Sequence, residues 1–335
     1  MQLASFRHKG VDRIGVRKSD TEIITITDLP GIDAIAAPTM IDLIAQGPAA
    51  LAQVLAYEEN PDPKAIIASD EITWKPPVPN PGKIVGVAMN NSASNARKIS
   101  APDHPAFFLK PPSCLIGHKA AIHIRPYYGS VHPEPELAII IGKRTRDVDV
   151  EDAMGSVFGY SIFNDITGNG MRADDLFHYW ALYANEKDPE KLDRREQHLS
   201  YAARYKGSDT FGCMGPWLVT ADEIPDPDNL DIGCSVGGET IADDSTRFYN
   251  YKVAEIISYL SQFQTLLPGD IISCGTAFKP SPGRKSIHHA NLQKVPGPVS
   301  VSIAGLGTLV NSVIIDDQPI GQWRLPPQDA AKEES

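Results

Sequence analysis

The chain predicts a β-rich α+β fold, and three observations carry that expectation. Short runs enriched in Val, Ile and Thr alternate with period two along most of its length. Helical periodicity is confined to a few segments. Turn residues are abundant, with 26 Gly and 28 Pro in 335 residues. A doubly wound sheet needs a helix after nearly every strand, so it does not fit. No G-x-G-x-x-G or P-loop occurs, which removes dinucleotide and Walker-type readings.

In chain order, residues 1–75 predict a small N-terminal α+β module. Strands are expected at 3–6, 14–16 and 22–27. Residues 39–57 predict two short helices around Gly47-Pro48, with Leu51, Val54 and Leu55 at helical spacing. Residues 76–82 carry four prolines and predict a stiff linker. The body, 83–320, predicts strands at 83–88, 136–142, 159–165, 217–220, 270–274, 297–303 and 305–315. Its helices are expected at 150–156 and 253–263, the second with apolar residues at 253, 256, 257 and 260. Residues 172–203 are charged, aromatic and helix-prone. They read as an insertion, either an active-site cover or a dimer contact. Residues 321–335 form a polar tail.

The balance of 42 acidic against 31 basic residues gives a net charge of −11. Such a chain lacks the electrostatic footprint for nucleic acid or for an anionic membrane surface. Acidic small molecules remain possible partners where a local cation inverts the field. The four cysteines form no C-x-x-C pair, which fits a reduced compartment and excludes a zinc ribbon. The opening residues lack the apolar core of a signal peptide, and no run of 18 apolar residues occurs. A cytoplasmic location is the expectation.

The clearest chemistry lies in Glu134-Pro135-Glu136. Alternation along a strand places both carboxylates on one face, at the edge of the apolar run 137–141. They repel each other unless a cation or protons neutralise them. Asp165 ends a second apolar strand. Three oxygen donors without His or Cys suit a hard divalent ion, Mg2+ first, with Mn2+ or Ca2+ as alternatives. The competing reading is a solvated strand end.

Four strings then follow in order: PEPELAIIIGK, GYSIFNDIT, KGSDTFGCMGPWLVT and LLPGDIISCGT. Together with the opening MQLASFR and the stretch PNPGKIVGV, they resemble the fumarylacetoacetate hydrolase superfamily over residues 1–170 and 204–315. The resemblance implies mixed β-sheets rolled around the active site, and a homodimer. It implies a Mg2+-type ion on Glu134, Glu136 and Asp165, acting as a Lewis acid on a 2-keto, 1,3-diketo or 2-hydroxydienoic acid. It places Lys206 beside the metal as a catalytic residue. Asn90, Arg172 and Thr276 become the substrate-binding candidates.

Three departures matter. Hydrolytic members carry a water-activating His where Ser94 stands, and a Tyr where Asn91 stands. A family Arg is replaced by Asn169, with Arg172 three residues along. The segment after Thr276 is basic, with Lys279, Arg284, Lys285, His288 and His289. His104 and His178 are the candidate replacement bases, with His132 and His198 as further possibilities. The expected reaction is C–C bond hydrolysis in a catabolic pathway. Isomerisation, hydration or dehydration, and decarboxylation are alternatives, and a non-catalytic binding protein is the remaining one.

Overall fold

The structure, a computed structural model, describes residues 1–26, 39–276 and 290–316. The basic cluster Lys279, Arg284, Lys285, His288 and His289 and the tail 321–335 lie outside the described residues.

The strand Pro135–Ile141 occupies the middle of a mixed sheet of 13 strands among the described residues. It pairs antiparallel with Val157–Asp165 on one side and with Ile271–Ser273 on the other. Ile271–Ser273 runs parallel to Ile84–Ala88, which pairs with Ala106–Lys110. Every residue of Pro135–Ile141 is buried. Side chains alternate between faces, so a continuous apolar run requires cover on both. Leu137, Ile139 and Ile141 share one core with Ile256, Leu260 and Val301. Ala138 and Ile140 share the other with Met40, Leu43 and Val54.

The first cover comprises the helix Val253–Phe263 and a five-stranded sheet that includes Asp231–Val236, Val299–Ile303 and Gly307–Ile315. The helix buries the apolar positions that its spacing predicts. The second cover is the pair Met40–Gln46 and Pro48–Glu58. Gly47 joins them at a positive φ of 66°, which glycine adopts without strain. Leu55 is exposed, and Ala50 and Val54 form the buried face instead.

The N-terminal module continues the body's sheet. Gln2–His8 pairs antiparallel with Leu218–Thr220, matching Gln2 to Val219. The proline-rich segment lies on this sheet as a strap: Val78 is buried, and Ser5 Oγ donates to the Pro77 carbonyl at 2.7 Å.

The segment 172–203 overturns its helix-prone reading. A short helix, Asn169–Asp174, leads into a hairpin of Leu176–Ala184 against Leu192–Ser200. Phe177, Tyr179 and Tyr183 alternate with period two, and aromatic side chains favour the pleated conformation. Charged residues cluster at its turn, where Asn185 Oδ1 accepts from the amides of Lys187 and Asp188, each at 2.9 Å. Charge there reflects a turn, and the long polar run suggested a helix only by composition.

Gly159 is where Val157–Asp165 meets Leu218–Thr220 most tightly. A Cβ at Gly159 would stand 2.2 Å from the Val219 carbonyl oxygen, where only backbone could yield. Gly159→Ala should therefore cost about 1–3 kcal/mol, read as a lower urea midpoint. An unchanged midpoint would contradict this packing.

Candidate active site

The register of two strands builds the site. Pro135 pairs with Asn164, so the carboxyl end of Val157–Asp165 lies beside the start of Pro135–Ile141. Two bonds lock this junction: the Asp165 amide donates to the Glu134 carbonyl at 2.9 Å, and the Glu134 amide to Asn164 Oδ1 at 2.9 Å. Glu134, Glu136 and Asp165 consequently converge, with one oxygen of each within 4.8 Å of the others. They lie in a cavity of about 440 Å³ that Lys206, Thr276 and Arg172 also line.

Two buried lysines face the three carboxylates. Lys206, on the short helix Ala203–Gly207, donates to Glu134 Oε2 at 2.9 Å and to Asp165 Oδ2. Lys110, the last residue of Ala106–Lys110, donates to Asp165 Oδ1 at 2.6 Å and to the Lys206 carbonyl. Glu136 accepts from Ser273 Oγ at 2.5 Å and from the Gly275 amide at 2.9 Å. His132 Nε2 stands 2.9 Å from Glu134 Oε1.

Burial and neighbouring charge together set the titration of this group. Glu136 is pushed up to about 8, first by burial and then by Asp165 and Glu134. Burial also acts upward on Glu134, but the Lys206 ammonium and His132 outweigh it and hold that carboxyl well below its usual range. Burial works against the Lys206 charge, yet the surrounding carboxylates raise its pKa above the ordinary lysine value.

Three ionised carboxylates against two ammonium groups carry one excess negative charge, which the Glu136 proton cancels below pH 8 and a divalent ion can cancel in its place. The donors are all hard oxygens. Both features fit a divalent ion of the Mg2+ or Mn2+ class held by Glu134, Glu136 and Asp165. Such binding must displace the Glu136 proton below pH 8. Apparent Mg2+ affinity should then rise about tenfold per pH unit from pH 6 to 8 and flatten above. Calorimetric titrations at pH 6, 7, 8 and 9 check this, and a pH-independent affinity would contradict it.

The other sequence-derived candidates divide. Arg172 lies on the cavity wall, its guanidinium 5.9 Å from the Tyr205 ring centroid. Thr276 is on the cavity, but its hydroxyl donates to Glu134 Oε2 at 2.7 Å, supporting the carboxylates. Asn90 is buried, with its side chain turned into backbone groups. Its amide nitrogen donates to the Cys274 and Tyr251 carbonyls, and its oxygen accepts from the Tyr251 amide. It does not line the cavity, and it ties the wall together instead.

His104 and His178 also do not line the cavity within one chain. His104 stacks on Tyr259, with ring centroids 5.2 Å apart. His178 is exposed on the hairpin. Ser94 does line the wall, but its hydroxyl donates to the Asn91 and Met89 carbonyls at 2.6 and 3.1 Å.

Sequence reasoning missed Lys110. Its signal was a lysine closing an otherwise aromatic and aliphatic strand, Ala106–Lys110, where a solvated charge is unexpected. It also missed Phe108 and Tyr205, which wall the cavity near Lys206.

Residues 83–314 match the family model described as Fumarylacetoacetate (FAA) hydrolase C-terminal. The mitochondrial oxaloacetate tautomerase FAHD2A of Bos taurus is 32% identical over 291 residues, spanning 86% of this chain and 84% of that protein. Maleylpyruvate hydrolase from Sphingobium sp. SYK-6, solved with manganese(II) and pyruvate, superimposes with a TM-score of 0.69 at 27% identity. That likeness covers 94% of this chain and 99% of the other. A 2-hydroxyhepta-2,4-diene-1,7-dioate isomerase from Mycobacterium marinum shares the fold, with a TM-score of 0.65 at 23% identity over 95% and 100% of the two chains. The motifs, the β-rich fold and these matches agree: this chain belongs to the fumarylacetoacetate hydrolase family.

Proposed function

We propose that the protein is a divalent-metal enzyme that interconverts keto and enol forms, or double-bond isomers, of a 2-keto acid. One observation carries this reading. Three converging carboxylates, two of them buried, and Lys206 face a 440 Å³ cavity, while Ser94 turns its hydroxyl into backbone carbonyls. Ser94 holds the position that the family resemblance gives to the water-activating His. Tautomerisation needs a stabilised oxyanion and a proton transfer, but no activated water.

A divalent ion on Glu134, Glu136 and Asp165 would supply Lewis-acid polarisation of a keto oxygen. Lys206 Nζ adds a fixed positive charge beside the same place. Arg172 is the wall cation suited to the substrate carboxylate. Phe108 and Tyr205 wall the cavity beside Lys206, which limits the space open to water there. The likeness to an oxaloacetate tautomerase supports the same reading.

C–C bond hydrolysis is the second reading, favoured by the likeness to maleylpyruvate hydrolase. A panel of oxaloacetate, acylpyruvates and hydroxymuconate-type acids, with and without Mg2+, separates the two. We expect a Mg2+-dependent ultraviolet shift without fragmentation. Cleavage of an acylpyruvate to pyruvate and a carboxylic acid would establish hydrolysis instead. No reaction with any acid would favour a binding protein.

A further inference from the structure

The hairpin carries a second cluster of metal-binding side chains, distinct in chemistry from the carboxylate site. Its register places His178 directly opposite His198, and Trp180 opposite Glu196. Alternate residues of a strand share a face, so His178, His198 and Glu196 stand on the same side. The two imidazole rings lie 4.2 Å apart and within 10° of parallel. Glu196 Oε1 is 2.5 Å from His178 Nε2. One donor atom from each of the three lies within 4.8 Å of the others. None of the three lines the cavity that holds Glu134, Glu136 and Asp165.

We propose that His178, His198 and Glu196 bind one borderline divalent transition ion of the Zn2+ class, which clamps the two strands together. Two imidazoles and one carboxylate form a zinc donor set and leave a fourth position for water. The all-oxygen carboxylate site prefers harder ions, so the two sites sort metals by softness. The clamp meets a structural need. A lone two-stranded hairpin is marginally stable in water. Its two strands pair only with each other among the described residues. A bond across positions 178 and 198 closes the hairpin against fraying.

Strand register fixes the backbone positions of the three ligands, and all three are exposed, so the stacked imidazoles can turn out of parallel to bring one nitrogen each to a shared ion without opening the fold. An ordinary His–Glu ion pair with ring stacking would use the same contacts but would show no preference for transition ions.

The test titrates Zn2+ into the full-length chain in saturating Mg2+, which occupies the carboxylate site. Wild type should bind one Zn2+ per chain. His178→Ala and His198→Ala should each weaken it by about 100-fold or more. Glu136→Ala, which removes the other site, should keep the Zn2+ equivalent. Co2+ bound to wild type should give visible absorption bands of a tetrahedral imidazole site, lost in His198→Ala. Equal Zn2+ binding by wild type and by the double variant His178→Ala/His198→Ala would overturn the proposal. So would wild-type protein that shows neither the Zn2+ equivalent nor the Co2+ bands.

Discussion

Glu136→Ala should abolish Mg2+ binding and lower turnover of an enolisable 2-keto acid by about 10³-fold or more. Glu136 is 2% exposed and is held by Ser273, Gly275 and Thr276, so its carboxylate has one fixed orientation. Removing it leaves Glu134 and Asp165 facing Lys110 and Lys206. Two ammonium groups already balance the two remaining carboxylates, and no third carboxylate is left to ionise and hold a divalent ion. The same substitution removes a raised-pKa carboxyl, so the metal-free fold should survive it. Glu136→Gln keeps the side-chain volume and should lose the metal equally. Mg2+ calorimetry and initial rates, measured together, check the prediction. Wild-type turnover in either variant would refute the assignment of this carboxylate.

Lys110→Met should destabilise the metal-free protein by about 3–5 kcal/mol, the usual cost of removing one partner of a buried ion pair. Its side chain has 0% exposure, and Asp165 has only 2%. Methionine fills the volume but donates nothing to Asp165 Oδ1 or to the Lys206 carbonyl. Two buried acceptors then lose a partner, and the local charge becomes more negative. Added Mg2+ should recover part of the loss, because the ion compensates the exposed excess of carboxylate. Urea denaturation with and without Mg2+ measures both effects. A loss under about 1 kcal/mol would show that Lys110 is a surface-like pair in practice.

Much of this architecture was legible in the sequence because it obeys simple periods. The strand Pro135–Ile141 reads as a buried strand since each residue from Leu137 to Ile141 is aliphatic. The Glu-Pro-Glu spacing announces paired carboxylates because strand alternation is fixed by backbone geometry. Helix Val253–Phe263 follows from its apolar spacing.

What remained hidden depends on contacts between distant segments. Lys110 and Asp165 are 55 residues apart, and only the sheet order joins them. Asn90 belongs to a motif, but its bonds to Cys274 and Tyr251, 184 and 161 residues away, decide its role. The hairpin Leu176–Ala184 with Leu192–Ser200 was obscured because its charged side chains suit a helix as well as an exposed strand. Short-range composition does not separate those two outcomes.

A divalent ion held at the carboxylate site should promote enolisation of a 2-keto acid. Deuterium incorporation at C3 of oxaloacetate or pyruvate in D2O, followed by NMR, measures that step without requiring the natural substrate. Exchange should run well above the protein-free rate with Mg2+ or Mn2+ and fall to that background with chelator and in Glu136→Ala. Exchange that persists unchanged without metal, or no exchange above background with it, would show that the carboxylates do not hold a catalytic ion.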